Sequence, residues 1–321
     1  MNWIQKRLYA KFFANSTMNY QKAYDQLYDK DNARPPKGIV KCSKSVSVKQ
    51  FNINADDKNV LSAYYFENYK QQANENTPVI IYFYGNSFSN KNPVHYYNYC
   101  SYLAYKASSI VIMVNCLQPP KYKFPMAHDN AIIAIKWVKE TCPYWQISTD
   151  KIYIFGDLFG ANLGLSAMLH LKKTLKNINI AGMVFTDPII DASMSSSSFA
   201  KYGNSPTLTK ADMQNFVDEY VQYKSQIFNR RLSISMEKDL TKLPPALIIT
   251  SEYSPAKDDA YLLKEKMEEC SDSVFLYEQK NAYYSFMFEK SKHRKRNAET
   301  MIREFIKNND INFLKMISKT L

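Results

Sequence analysis

The segment Lys151-Ile-Tyr-Ile-Phe-Gly156-Asp157-Leu158-Phe159-Gly160-Ala161-Asn162 constrains this chain more than any other. A β-branched and aromatic run leads into small residues, and helical spacing then continues to Lys172. Gly156 and Gly160 stand two before and two after Leu158, and Gly164 follows one helical turn later. The 321 residues include only seven glycines, where average usage of about 7% would give roughly 22. Glycines kept in so poor a background mark backbone positions that other residues fill badly. A strand, a turn too tight for neighbouring side chains, and a helix is the local geometry they specify.

The rest of the chain repeats that rhythm. Val46–Asn52 and Val60–Phe66 alternate like antiparallel strands. Pro78–Tyr84 and Ser109–Val114 are continuous apolar runs, as in strands buried on both faces. Further strands are expected at Lys151–Phe155, Ile180–Thr186, Ala246–Thr250 and Val274–Glu278. Helical spacing covers Tyr96–Tyr105, Ala127–Lys139, Ala161–Lys172, Lys257–Glu269 and Ala298–Ile306. This alternation predicts an α/β fold, a mostly parallel sheet with helices on both faces. Residues ~190–242, opening with the serine-rich Ser193–Ser198, are too long for a plain connection and are expected to form a helical cap. The expected organisation is an N-terminal lid over 1–45, a core over 46–190, the cap over 191–242, and the rest of the core over 243–321. No apolar run approaches the ~18–20 residues of a membrane span.

Several segments, in order, resemble the hormone-sensitive-lipase branch of the α/β-hydrolase family. The tight turn resembles that branch's nucleophile elbow, G-D-S-A-G-G-N. Pro78 to Phe88, with Tyr84-Gly85-Asn86-Ser87, resembles its strand and H-G-G-G-F oxyanion loop. Pro120 to Ala131 is similar to P-E-x-P-F-P-A-A-x-E-D-A. Asp187-Pro188 with Asp191 matches the start of the cap, and Leu243 to Thr250 resembles the L-P-P-A-L-I-x-T strand before the catalytic acid. The resemblance covers roughly residues 38 to 307 and implies an α/β-hydrolase fold with an ester-hydrolase ancestry.

The departures fall on the chemistry. Gly156, Asp157, Phe159 and Gly160 frame the elbow, but the nucleophile position holds Leu158. Ser254 stands where the resemblance places the acid, and Tyr284 where it places the histidine. Leucine has no nucleophilic atom, a serine cannot hold an imidazolium, and a tyrosine is no base near pH 7. Asn86 and Ser87 replace oxyanion-loop glycines. Relocation has few candidates. His95, His128, His170 and His293 all fall outside the loop after the last strand. Ser87 is the one serine to test as a substitute nucleophile. The expected protein is therefore catalytically inactive and acts by binding, as a scaffold, complex subunit or small-ligand receptor. The plant gibberellin receptors, which use the old active site of this fold as a ligand pocket, are similar in logic. The alternative is an ester or amide hydrolase with relocated residues.

Charge suggests where contacts form. Forty-two basic against 30 acidic residues give +12, which favours acidic or membrane-surface partners. Lys290, Lys292, Arg294, Lys295 and Arg296 form a candidate docking patch, or else a solvated helix start. Ile4, Leu8 and Phe12, flanked by Lys6, Arg7 and Lys11, suggest an amphipathic N-terminal helix. It could pack on the body, lie on a membrane or direct the chain to an organelle. Nucleic acid is not expected as a partner, since no groove-reading motif accompanies the basic run. An odd count of five cysteines with no C-x-x-C pair suggests free thiols in a reducing, cytoplasmic setting. No metal set and no cofactor are implied.

Overall fold

The computed structural model describes residues 17–18, 45–55, 59–71, 73–85, 94–175, 178–271, 273–288 and 292–320. The N-terminal amphipathic stripe, Asn86, Ser87 and Lys290 lie outside them. The strands are β1 (Thr17–Met18), β2 (Val46–Asn54), β3 (Val60–Asn68), β4 (Val79–Phe83), β5 (Ile110–Asn115), β6 (Ile152–Asp157), β7 (Gly182–Thr186), β8 (Ala246–Ser251) and β9 (Val274–Gln279). The helices are α1 (Val94–Lys106), α2 (Met126–Thr141), α3 (Phe159–Thr174), α4 (Ser197–Tyr202), α5 (Lys210–Tyr220), α6 (Lys257–Glu268), α7 (Lys292–Asn308) and α8 (Ile311–Ile317).

Among the described residues these strands form one sheet in the order β1-β2-β3-β5-β4-β6-β7-β8-β9. The first three strands run antiparallel to their neighbours, and all pairs from β5 through β9 are parallel. Every residue of β4, β6, β7 and β8 is buried, which is why these segments read as continuous apolar runs. By contrast β2 alternates in burial toward its end. Helices cover both faces. Ala131, Leu163 and Leu263 from α2, α3 and α6 join one apolar cluster. Leu103, Ile302 and Leu314 from α1, α7 and α8 join the other. The fold is that of an α/β hydrolase, as expected.

Two stretches depart from the sequence reading. The last long helix starts at Lys292 rather than Ala298, inside the basic run, and α8 follows where no element was assigned. Cations in a first turn oppose the helix dipole, so tertiary contacts have to supply the compensation. Asp310 caps α8 by accepting from the Asn312 and Phe313 N–H groups at 2.8 and 3.0 Å.

Candidate functional site

The β6–α3 turn keeps the tight geometry. Leu158 has φ 46° and ψ −116°, a conformation that costs a residue with a Cβ ~1–3 kcal/mol. Two close approaches hold it. A Cβ on Gly160 would lie 1.9 Å from the Phe83 carbonyl oxygen, and one on Gly156 would lie 2.5 Å from the Ala161 nitrogen. The Leu158 N–H donates to the Thr186 carbonyl at 3.0 Å, and its own carbonyl accepts from the Ile189 N–H at 3.3 Å. The end of β7 thus clamps the turn. The Leu158 side chain is fully buried, and Phe159 and Tyr84 beside it are buried too.

Asp157, one residue earlier, gathers four donors. Oδ1 accepts from the Tyr82 hydroxyl and the Gly85 N–H, each at 2.9 Å. Oδ2 accepts from the Tyr284 hydroxyl at 2.9 Å and the Tyr96 hydroxyl at 3.3 Å. The carboxyl is wholly buried. Burial pushes it up to about 6, outweighing donors that favour the charged form. Burial, and then the Asp157 charge, hold the Tyr284 hydroxyl well above its ordinary value. Tyr284 is therefore a fixed, neutral donor.

Ser254 is also fully buried. Its Oγ accepts from the Ala256 N–H at 3.2 Å, and its side chain favours the charged form of Asp187. Asp187 further accepts from the Thr250 hydroxyl, the Ser251 N–H and the Ser251 hydroxyl at 2.8–3.0 Å. Burial raises its carboxyl to about 6. Asp258 and Asp259 open α6, as the sequence suggested, but they do more. Asp259 accepts from the Ile190 and Asp191 N–H groups at 2.8 and 3.0 Å. Asp258 accepts from the Ser198 N–H at 2.7 Å. The pair fastens the β7–β8 connection to the start of α6, and burial lifts Asp259 to about 7.

The histidines stand where helical positions put them. His128 is fully buried on α2. Asn162 donates its amide protons to the Ile189 and Leu232 carbonyls at 2.9 and 2.7 Å. Its Oδ1 therefore accepts, and the network assigns the proton to His128 Nε2, 3.0 Å away. Nδ1 accepts from the Tyr220 hydroxyl at 2.8 Å. Burial is the main cause that brings this imidazole down to about 3. His170 is half-buried near the end of α3. The His95 and His293 side chains lie outside the described residues. Between α3 and the β7–β8 connection, Phe159, Asn162, Ile189, Met194, Val217 and Leu232 border a space of about 10 Å³, room for one water at most.

The basic run is not the uniform patch that its spacing suggested. Lys295 is only 2% exposed. Its ammonium lies 3.4 Å from Glu299 and 5.5 Å from the centre of the Tyr102 ring, with the Met287 carbonyl at 3.5 Å. It anchors the start of α7. Arg296 is exposed. The side chains of Lys292 and Arg294 lie outside the described residues.

Residues 80–288 match the sequence profile of a family described as alpha/beta hydrolase fold, and the chain belongs to that family. It is similar to an arylesterase of Saccharolobus solfataricus, 29% identical over 160 residues, which are 48% of this chain and 52% of that protein. It is also similar to the gibberellin receptor GID1A of Arabidopsis thaliana, 29% identical over 116 residues, 35% of this chain and 33% of the receptor. The chain spans about half to two-thirds of the length of the first esterases it matches. In three dimensions it is similar to the hyperthermophilic esterase of Pyrobaculum calidifontis, with a TM-score of 0.75 at 21% identity, over 94% of this chain and 97% of that one. That likeness is one of fold.

Proposed function

We propose that this chain is a non-catalytic member of the hormone-sensitive-lipase-like branch that acts by binding. The observation that carries the reading is Leu158 at the elbow: the residue held in the nucleophile's conformation has no atom that can attack a carbonyl. Three further observations support it. Tyr284, at the position of the histidine, is spent on Asp157, and Ser254, at the position of the acid, is fully buried with its Oγ accepting from the Ala256 N–H. Both ring nitrogens of the buried His128 are engaged. Among the described residues, the space bordered by Phe159, Asn162 and Leu232 under the β7–β8 connection, which we read as a cap over 191–242, is too small for an organic ligand. At that position a scaffold or complex subunit fits the filled interior better than a small-ligand receptor does. Partners, in this reading, meet the outer surface.

A second reading is ester hydrolysis by relocated residues, and the names of the relatives favour it, since arylesterases and carboxylesterases predominate among them. Short-chain p-nitrophenyl esters separate the two. Removing one triad member costs ~10⁴–10⁶-fold in serine hydrolases, so the binding reading expects no turnover above that of Ser87→Ala. Saturable turnover abolished by one substitution would establish the second reading.

A further inference from the structure

The β7–β8 connection carries a surface that the hydrolase fold does not require. From Val221 to Met236 the chain has three cations, Lys224, Arg230 and Arg231, and no acid. Residues 222–225 and 228–230 are all exposed, between a buried Val221 and a buried Leu232 to Ile234. Tyr223 is 63% and Phe228 58% exposed. Neither ring is left out by looseness of the backbone, because the segment is densely hydrogen-bonded. Gln226 Oε1 accepts from the Gln222 and Tyr223 N–H groups at 2.7 and 3.2 Å. The Asn229 carbonyl accepts from the Leu232 and Ser233 N–H groups at 2.9 and 2.7 Å. The Asn229 side chain accepts from the Arg231 N–H at 2.9 Å. Arg231 is tied to Asp129 at 2.7 Å, whereas Lys224 and Arg230 form no ion pair among the described residues.

We infer that this loop is a docking tip for an anionic lipid surface. A hydrogen-bonded loop with two exposed aromatic rings and two cations that form no ion pair among the described residues matches what an interface selects: rings for the headgroup boundary and cations for acidic lipid. The chain's +12 charge adds long-range attraction to the same surface. Among the described residues no helix is long and apolar enough to cross a membrane, so the contact is peripheral. The inference holds whether or not the chain hydrolyses esters.

The test is co-sedimentation of the full chain with phosphatidylcholine vesicles, with and without phosphatidylserine, at low and high salt. Binding is expected only to the vesicles with phosphatidylserine, and it should weaken as salt rises. Lys224→Glu with Arg230→Glu should reduce it about ten-fold or more. Tyr223→Ser with Phe228→Ser should reduce it about five-fold or more. Melting temperatures should stay unchanged, since all four side chains are exposed. Failure to bind acidic vesicles would overturn the inference, and so would binding that both double variants retain. If the variants instead release a copurifying protein while no vesicle binds, the tip is a protein contact and the lipid assignment is wrong.

Discussion

Two aromatic regions of this molecule use their rings in opposite ways. Around Asp157, three tyrosine hydroxyls end on one carboxylate and every ring is buried. In the loop at 222–230, Tyr223 and Phe228 face water on a hydrogen-bonded frame. In our reading the first region stands where a hydrolase of this fold keeps its chemistry, yet the Asp157 carboxylate is satisfied from within. The second leaves more than half of each ring's surface exposed. In our reading, the interior of the old site now serves stability and the outer face serves contact. Substitutions should therefore separate along that line.

The largest effect should come from the elbow. Gly160→Ala places a Cβ 1.9 Å from the Phe83 carbonyl oxygen, and backbone on backbone cannot give way cheaply. A loss above about 4 kcal/mol, or no folded protein, is expected in urea denaturation. A stable Gly160→Ala chain would mean that the turn is not what holds this region together. Asp157→Ala comes next. It strands three buried hydroxyls and the Gly85 N–H, and should cost about 3–4 kcal/mol.

The buried carboxyls give the third effect, on pH. Asp157 and Asp187 lie near 6 and Asp259 near 7 in the folded chain. A raised carboxyl keeps a proton that the unfolded chain has already released. Stability should therefore rise as pH falls through these values, levelling off near the unfolded carboxyl value of about 4. His128, lowered to about 3, acts in the other direction: the unfolded chain takes up its proton first, so stability drops as pH falls below about 6.5. Three carboxyls against one imidazole leave a net gain of roughly 2–4 kcal/mol from pH 8 to pH 5. Urea midpoints across that range check the sign, and Asp259→Asn should flatten the limb between pH 8 and 6. The smallest effect is Tyr284→Phe, about 1 kcal/mol for one of Asp157's four donors. An effect as large as that of Asp157→Ala would make Tyr284 the keystone instead.

The same contrast explains what the sequence could tell. The elbow was legible because its glycines answer to steric demands within a few residues. The central strands were legible because burial on both faces leaves a continuous apolar run. The Asp157 network was not, since its side-chain donors come from positions 61 to 127 residues away. Local spacing gives no sign of such convergence; the tyrosine pairs at 96–97 and 283–284 were the available hint. Lys295 misled for a related reason. Its neighbours look like a solvated charge run, while Tyr102 and the Met287 carbonyl that receive it belong to other elements. The exposed Tyr223 and Phe228 were hidden in a segment whose composition suggested only a cap.

The central claim is that a fold with esterase relatives works here without hydrolysis. Incubation of the purified chain with a fluorophosphonate, read by intact mass alongside p-nitrophenyl butyrate turnover, tests it directly. The account predicts no adduct and a rate indistinguishable from buffer. A stoichiometric adduct, mapped to one side chain whose substitution abolishes turnover, would contradict it.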